Sequence, residues 1–188
     1  NSIDANSFNE SSDLEPSCNY GIAKKLCEEL IRSQSYLPNL KALILRLPPV
    51  LNGSKTSNIG KLMSLSRKRV LIPTLAQGEI NQRSFISSNN IKILFEHILS
   101  NTHLLEENKT YNLSDSKFIS LNEMLRASGK STIFCIPAFV GKILFHVPIL
   151  KNVLIQLYGN FVLDNTRLSE EMGVKLETTS KSLPIIFK

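Results

Sequence analysis

Apolar residues recur at Ile22, Ala23, Leu26, Cys27, Leu30 and Ile31, three and four positions apart, while the charged Lys24, Lys25, Glu28 and Glu29 take the places between them. This period predicts an amphipathic helix that stops before Pro38. The rhythm then changes. Residues 42–47 are apolar except for Arg46, which reads as a strand buried on both faces, the signature of a parallel sheet. Pro48-Pro49 and Asn52-Gly53 end it. Ile91, Leu94, Phe95, Ile98 and Leu99 fall at i, i+3, i+4, i+7 and i+8 of a second helix, capped by Ser88 or Asn89. Ser120-x-x-Glu123 is a capping box before Leu121, Met124 and Leu125, with Gly129 as the stop. Helices alternating with strands predict an α/β fold.

Residues 133–157 are the most hydrophobic stretch, but Lys142, His146, Lys151, Pro137 and Pro148 interrupt it. A spanning helix needs about 20 apolar residues in a row and is not expected here. Two readings stay open, a pair of helices packed within the fold and a peripheral contact with a bilayer surface. The net charge of +6 and pI near 9.3 suit an anionic partner. Nucleic acid is not expected, because the basic residues form no stripe with interleaved aromatics and the one dense run, Arg67-Lys68-Arg69, is short. That run reads as a solvated face, or as a contact for a phosphate-bearing ligand or an acidic membrane. Cys18, Cys27 and Cys135 have no paired spacing and read as reduced thiols, with Cys27 on the apolar stripe of the first helix. His97, His103 and His146 lack partners at metal spacing, so no metal site is expected.

The chemistry starts at Tyr20-Gly21-Ile22-Ala23-Lys24. Positions i and i+4 share a helix face, so a phenol and an ammonium point into one cleft. The ammonium favours the phenolate and draws it toward the working range of a general base.

These residues also carry a family resemblance. Tyr20 to Glu28, with Tyr, Ala-Lys and a following acid, resembles the catalytic helix of the extended short-chain dehydrogenase/reductases, specifically the NAD-dependent nucleotide-sugar epimerases and dehydratases. Leu43-Ile44-Leu45-Arg46-Leu47-Pro48-Pro49-Val50 is similar to that family's sixth core strand and the proline turn leaving it. Gln82-Arg83-Ser84-Phe85-Ile86-Ser87 with Asn90-Ile91, and Tyr111-Asn112-Leu113-Ser114-Asp115, follow in the family's order. The eight glycines include no strand–Gly-rich turn–helix cluster for a cofactor pyrophosphate, so the chain reads as lacking that N-terminal part.

The resemblance implies the later part of a Rossmann-like doubly wound parallel sheet with an interleaved small α/β substrate domain. Residues 1–53 would be the remnant of the NAD-binding domain, 54–82 a substrate-domain insertion, 83–116 the return to the Rossmann domain and 117–188 the C-terminal substrate-binding domain. It implies NAD as cofactor and a UDP-sugar as substrate. Tyr20 would act as the base, Lys24 would hold the nicotinamide ribose, and Ser2 would bond the reacting oxygen. Pro48 and Pro49 would lie beside the nicotinamide, Asn58 beside the nucleotide-sugar, and Arg83 on its diphosphate. It further implies a homodimer through the Tyr20 helix and a cytoplasmic location. Residues 45–59 and the tail Val162-Leu163-Asp164-Asn165-Thr166-Arg167, ending near Met172-Gly173, look most like bacterial UDP-sugar 4-epimerases and 4-ketoreductases of surface-polysaccharide synthesis. The competing expectation is a truncated, non-catalytic remnant or interaction module that binds no NAD.

Overall fold

The computed structural model describes residues 7–16, 18–34, 41–51, 58–105, 108–128 and 131–186. In chain order they form β1 (Ser7–Phe8), α1 (Asn19–Ser33), β2 (Leu43–Arg46), β3 (Val50–Leu51), α2 (Asn58–Ser66), β4 (Leu71–Leu75), α3 (Gln77–Ile80), β5 (Ile86–Ser87) and α4 (Ser88–Ser100). A 3₁₀ turn (Thr102–Leu105), β6 (Lys109–Asn112), α5 (Leu121–Ser128), β7 (Thr132–Ile136), α6 (Ala138–Phe145), α7 (Pro148–Tyr158), β8 (Val162–Leu163), α8 (Thr166–Met172) and α9 (Thr179–Ile186) follow. The strand pairs β1–β8, β2–β6, β3–β5 and β4–β7 are all parallel. Parallel pairs need crossovers, and the helices between them supply these. The class is α/β, as the alternation of periods predicts.

Two apolar clusters form the core. One gathers Met63 of α2, Ile72 and Leu75 of β4, Leu121, Met124 and Leu125 of α5, Tyr158 of α7 and Leu183 of α9. The other gathers Ile86, Leu94 and Ile98 of β5 and α4 with Tyr111 of β6 and Leu168 and Met172 of α8. Phe85 belongs to the first and Ile86 to the second. Successive side chains of an extended segment point to opposite sides, so 83–87 is the seam between them. Arg83 pairs antiparallel with Ile119 and parallel with Phe161 across that seam. Gly173 ends α8 at φ +67, a left-handed conformation that costs glycine nothing, and its N–H reaches Ser169 O at 3.0 Å.

Several expectations change in detail. The strand at 42–47 is half-buried rather than covered on both faces, and Leu47 is exposed. Among the described residues β2 has a strand neighbour, β6, on one edge only, and α1 has no buried residue with which to cover it. Cys27 is likewise exposed, as are Cys18 and Cys135, and all three are free thiols. The cap of α4 is Ser87, whose hydroxyl accepts from Asn90 N–H at 3.2 Å. The Ser120 cap holds, accepting from Glu123 N–H at 3.1 Å. Pro38, Asn52, Gly53 and Gly129 lie outside the described residues. Residues 133–157 contain two helices, but they begin only at Ala138, because the β-branched and aromatic Thr132-Ile133-Phe134-Cys135-Ile136 pairs as a strand with β4.

Candidate functional site

Tyr20 and Lys24 lie in the first turns of α1, and the Lys24 ammonium is 5.6 Å from the centroid of the Tyr20 ring. Tyr20 is 73% exposed, so its hydroxyl is open to a reacting partner. With no buried residue, α1 is held to the sheet by ion pairing. The Glu28 carboxylate, one turn beyond Lys24, accepts from Arg46 Nη2 at 2.6 Å and Nε at 3.1 Å, and from Arg32 Nη2 at 3.0 Å. Arg46 in turn donates to Glu10 O at 2.8 Å and Arg32 to Thr110 Oγ1 at 2.6 Å. Hydrogen bonds from Arg46, then from Arg32, hold the Glu28 carboxyl below the usual carboxylate range. Positions 20, 24 and 28 lie along one stripe of the helix, so the knot at Glu28 is on the same side of α1 as Tyr20 and Lys24. Arg46, the one charge in an apolar strand, is therefore the anchor of α1, the helix that bears Tyr20 and Lys24. Just beyond it Pro48 is buried and Pro49 is exposed, with Pro49 O accepting from Ile86 N–H at 3.2 Å.

Arg83 stands apart from this pair. It is 5% exposed, its Nη1 donates to Gly159 O at 2.6 Å, and its Nε has no partner. Burial pushes its guanidinium below the ordinary value. Among the described residues no carboxylate pairs with it, so a desolvated cation is left with a donor unspent, an arrangement an incoming anion would relieve. Asn58 opens α2, and Ser2 lies outside the described residues.

Other polar residues, missed in the sequence, lie at the β4–α3 junction. Thr74 Oγ1, Gln77 Oε1 and Asn122 Oδ1 are buried without a hydrogen-bond partner, and unmet buried groups mark a place where a partner belongs. Thr74 and Gln77 flank the β4–α3 junction. Asn122 packs against it, where a Cβ at Gly78 would come within 2.5 Å of Asn122 Oδ1. A cavity of about 420 Å³ opens beside β1 and β8, lined by Ser84, Asp115, Lys117, Phe118 and Asp164 among others, without Tyr20, Lys24 or Arg83. Asp115 is a structural residue there, accepting from Ser87 N–H, Asn90 Nδ2 and Thr179 Oγ1 at 2.7–2.9 Å. The signal available in the sequence was position. Ligands of open α/β sheets gather beyond the carboxyl ends of the strands, and Thr74 and Asp115 lie at or just past such ends.

Solved structures share this fold. A UDP-glucose 4-epimerase superposes with a TM-score of 0.70 at 14% identity, over 98% of this chain and 59% of that one. The fold is that of the UDP-sugar 4-epimerases. RMD from Pseudomonas aeruginosa, complexed with NADPH, gives 0.68 at 15% identity over 96% of this chain and 58% of that one. UDP-glucuronic acid 4-epimerase from Bacillus cereus, in complex with NAD, gives 0.64 at 13% over 96% and 55%. The chain thus spans somewhat more than half the length of these structures. No family model and no curated protein matches the sequence. The resemblance drawn from Tyr20 to Asp115 holds at the level of the fold. Among the described residues no helix is long and apolar enough to cross a membrane, and no group of His, Cys, Asp and Glu could hold a metal ion.

Proposed function

We propose that this chain supplies the catalytic helix and the substrate side of an NAD-dependent enzyme that epimerises a UDP-sugar or reduces its 4-keto form, in bacterial surface-polysaccharide synthesis. The supporting observation is the Lys24 ammonium poised 5.6 Å from an open Tyr20 ring in a chain with the epimerase fold. Tyr20 removes the proton of a sugar hydroxyl and returns it from the phenol. Lys24 stabilises the phenolate and donates to the ribose next to the nicotinamide. Arg83 offers its unpaired Nε to the substrate diphosphate, Asn58 lies beside the nucleotide-sugar, and Ser2 bonds the reacting oxygen.

The residues present fit the nicotinamide end of the cofactor, where Tyr20, Lys24 and the Pro48-Pro49 turn lie. None of the described residues forms a glycine-rich pyrophosphate cradle. When bound, the nicotinamide accepts and returns a hydride. In the homodimer we propose, Ile22, Leu26 and Leu30 of α1, all exposed, meet their counterparts, and the location is cytoplasmic.

The test is Tyr20→Phe in the protein that carries this chain together with a nucleotide-binding unit. Turnover of a UDP-sugar should fall by about 10²–10⁴-fold with an unchanged melting temperature, because the ring is largely exposed and contributes little packing. Retention of more than about a tenth of the wild-type rate would remove Tyr20 from the role of base, and absence of turnover in the wild-type protein itself would favour the alternative, a non-catalytic remnant or interaction module.

A further inference from the structure

The helices α6 and α7 are apolar on two sides. Their inner sides, through Leu144, Leu154 and Leu157, pack against the cluster built on β4 and α5. Their outer sides carry Phe139, Ile143, Val147, Ile149, Leu150 and Val153, all exposed, with Ile149 at 87% and Phe139 at 66%. The outer face of the β4–β7 pair also exposes Leu71 and Phe134. A surface helix in water ordinarily turns polar residues outward. One that is apolar all round is covered by something. With 8 and 11 residues, neither helix reaches the ~20 needed to span a bilayer.

Charge decides what covers this face. Between Glu123 and Asp164 the sequence contains no acidic residue, while Arg126, Lys130, Lys142 and Lys151 fall in that stretch. Between Glu29 and Glu79 there is again no acidic residue, and this second stretch supplies β4 and the exposed basic turn Arg67-Lys68-Arg69. Ser131 ties that turn to the start of β7, its N–H donating to Ser66 O at 3.2 Å and its hydroxyl to Lys68 O. The elements that bear the apolar face, α6, α7, β4 and β7, thus carry no acidic residue, and their charges are Lys142 and Lys151. A second copy docked there about a two-fold axis would set the same basic residues against themselves. Anionic headgroups would neutralise them while the acyl boundary takes the apolar side chains.

We propose that the outer face of α6 and α7 is a docking surface for an anionic lipid bilayer, on which the two helices lie in the interfacial plane. Phe139, Ile143 and Ile149 enter the acyl boundary, and Lys151 meets the headgroups. This is independent of the reaction assigned to Tyr20.

Flotation of the 188-residue chain with vesicles tests it, using phosphatidylcholine alone and phosphatidylcholine with about one third phosphatidylglycerol. The chain should float with the anionic vesicles and not the neutral ones, and added salt should release it. Lys151→Glu should weaken binding at least about fivefold, the equivalent of one lost basic contact at the surface. The exposed-site triple variant Phe139→Ser, Ile143→Ser, Ile149→Ser should weaken it more than tenfold with an unchanged circular dichroism spectrum. If the triple variant misfolds, Ile149→Ser alone, at the most exposed position, must weaken binding. No flotation, equal flotation with neutral vesicles, or lipid-independent self-association that the same substitutions abolish would overturn the proposal, the last by assigning the face to a second copy.

Discussion

Replacing Glu28 by alanine tests how α1, and with it Tyr20 and Lys24, is fixed to the sheet. The carboxylate is 11% exposed and its main partner, Arg46, 18% exposed. Removing one member of a buried, hydrogen-bonded pair costs about 3–5 kcal/mol because the other charge is left desolvated. Arg46 keeps its bond to Glu10 O and has some access to water, and Arg32 is half-exposed, so the expected loss is lower, roughly 2–3 kcal/mol. For a chain of this size 1 kcal/mol corresponds to about 2–4 °C, which predicts a fall in melting temperature of roughly 5–10 °C. Glu28→Gln, which keeps an acceptor of the same shape, should lose less. Amide exchange should show α1 opening first, since the helix has no buried residue to hold it once the knot is cut. Because the folded-state pKa of Glu28 is lowered, its contribution is full above the ordinary carboxylate value and fades as pH falls through the depressed one, so the gap between wild type and variant should close in acid. A loss below about 0.5 kcal/mol, the level of an exposed pair, would refute the anchoring role.

Lys24→Met should weaken cofactor binding as well as turnover in the protein carrying a nucleotide-binding unit, measured by titration of protein fluorescence, and unchanged affinity would remove it from the ribose. Arg83→Ala should raise the apparent Michaelis constant for a UDP-sugar while sparing NAD affinity, and equal loss of both would move Arg83 away from the diphosphate. The 188-residue chain alone should show no NAD binding by calorimetry, because no described residues cradle the pyrophosphate, and micromolar affinity in a monodisperse monomer would contradict that. Hydrogen bonds from Arg167, Tyr111 and Lys109 hold the Glu171 carboxyl down at about 2. Its stabilisation is therefore full above the unfolded value and lost between about pH 4.5 and 2, and Glu171→Gln should flatten that limb of the stability curve. Burial and the bond to Glu171 push the Tyr111 phenol up to about 12. The folded state thus holds that proton more tightly, and stability should fall as pH rises from about 10 through 12. An acid limb identical in wild type and Glu171→Gln would show that the carboxylate is not linked to folding.

What could be read along the chain was local. The Tyr20–Lys24 pair needs only a helix and an i+4 spacing, and the caps at Ser120 and Ser87 differ from expectation by a residue at most. β4 and β7 were harder to see because neither is self-sufficient. Pro73 removes a ladder N–H from β4, which confines it to an edge, and its partner, more than fifty residues further on, lies in a stretch whose apolarity suits helix or strand equally. The Arg46 interruption is plain in the apolar run, and a guanidinium in a strand interior calls for a carboxylate partner. Glu28 was in view as the acid a turn after Lys24. Joining the two required the register of α1 on β2, a tertiary fact. The same limit applied to Arg83, whose missing counter-charge emerges only when Ile119 and Phe161 close around it.

The Tyr20–Lys24 spacing lies within one segment, whereas the surroundings of Arg83 and of the buried polar groups depend on seams between segments. Thr74, Gln77 and Asn122 have nothing in common as a motif and meet only through the β4–α3–α5 packing. The two sides also differ mechanically. Tyr20 and Lys24 ride on a helix held by ion pairs and exposed to solvent, while Arg83 is set rigidly in the core. Substitutions that loosen α1, such as Glu28→Ala, should therefore affect turnover more than substrate affinity, and substitutions around Arg83 the reverse.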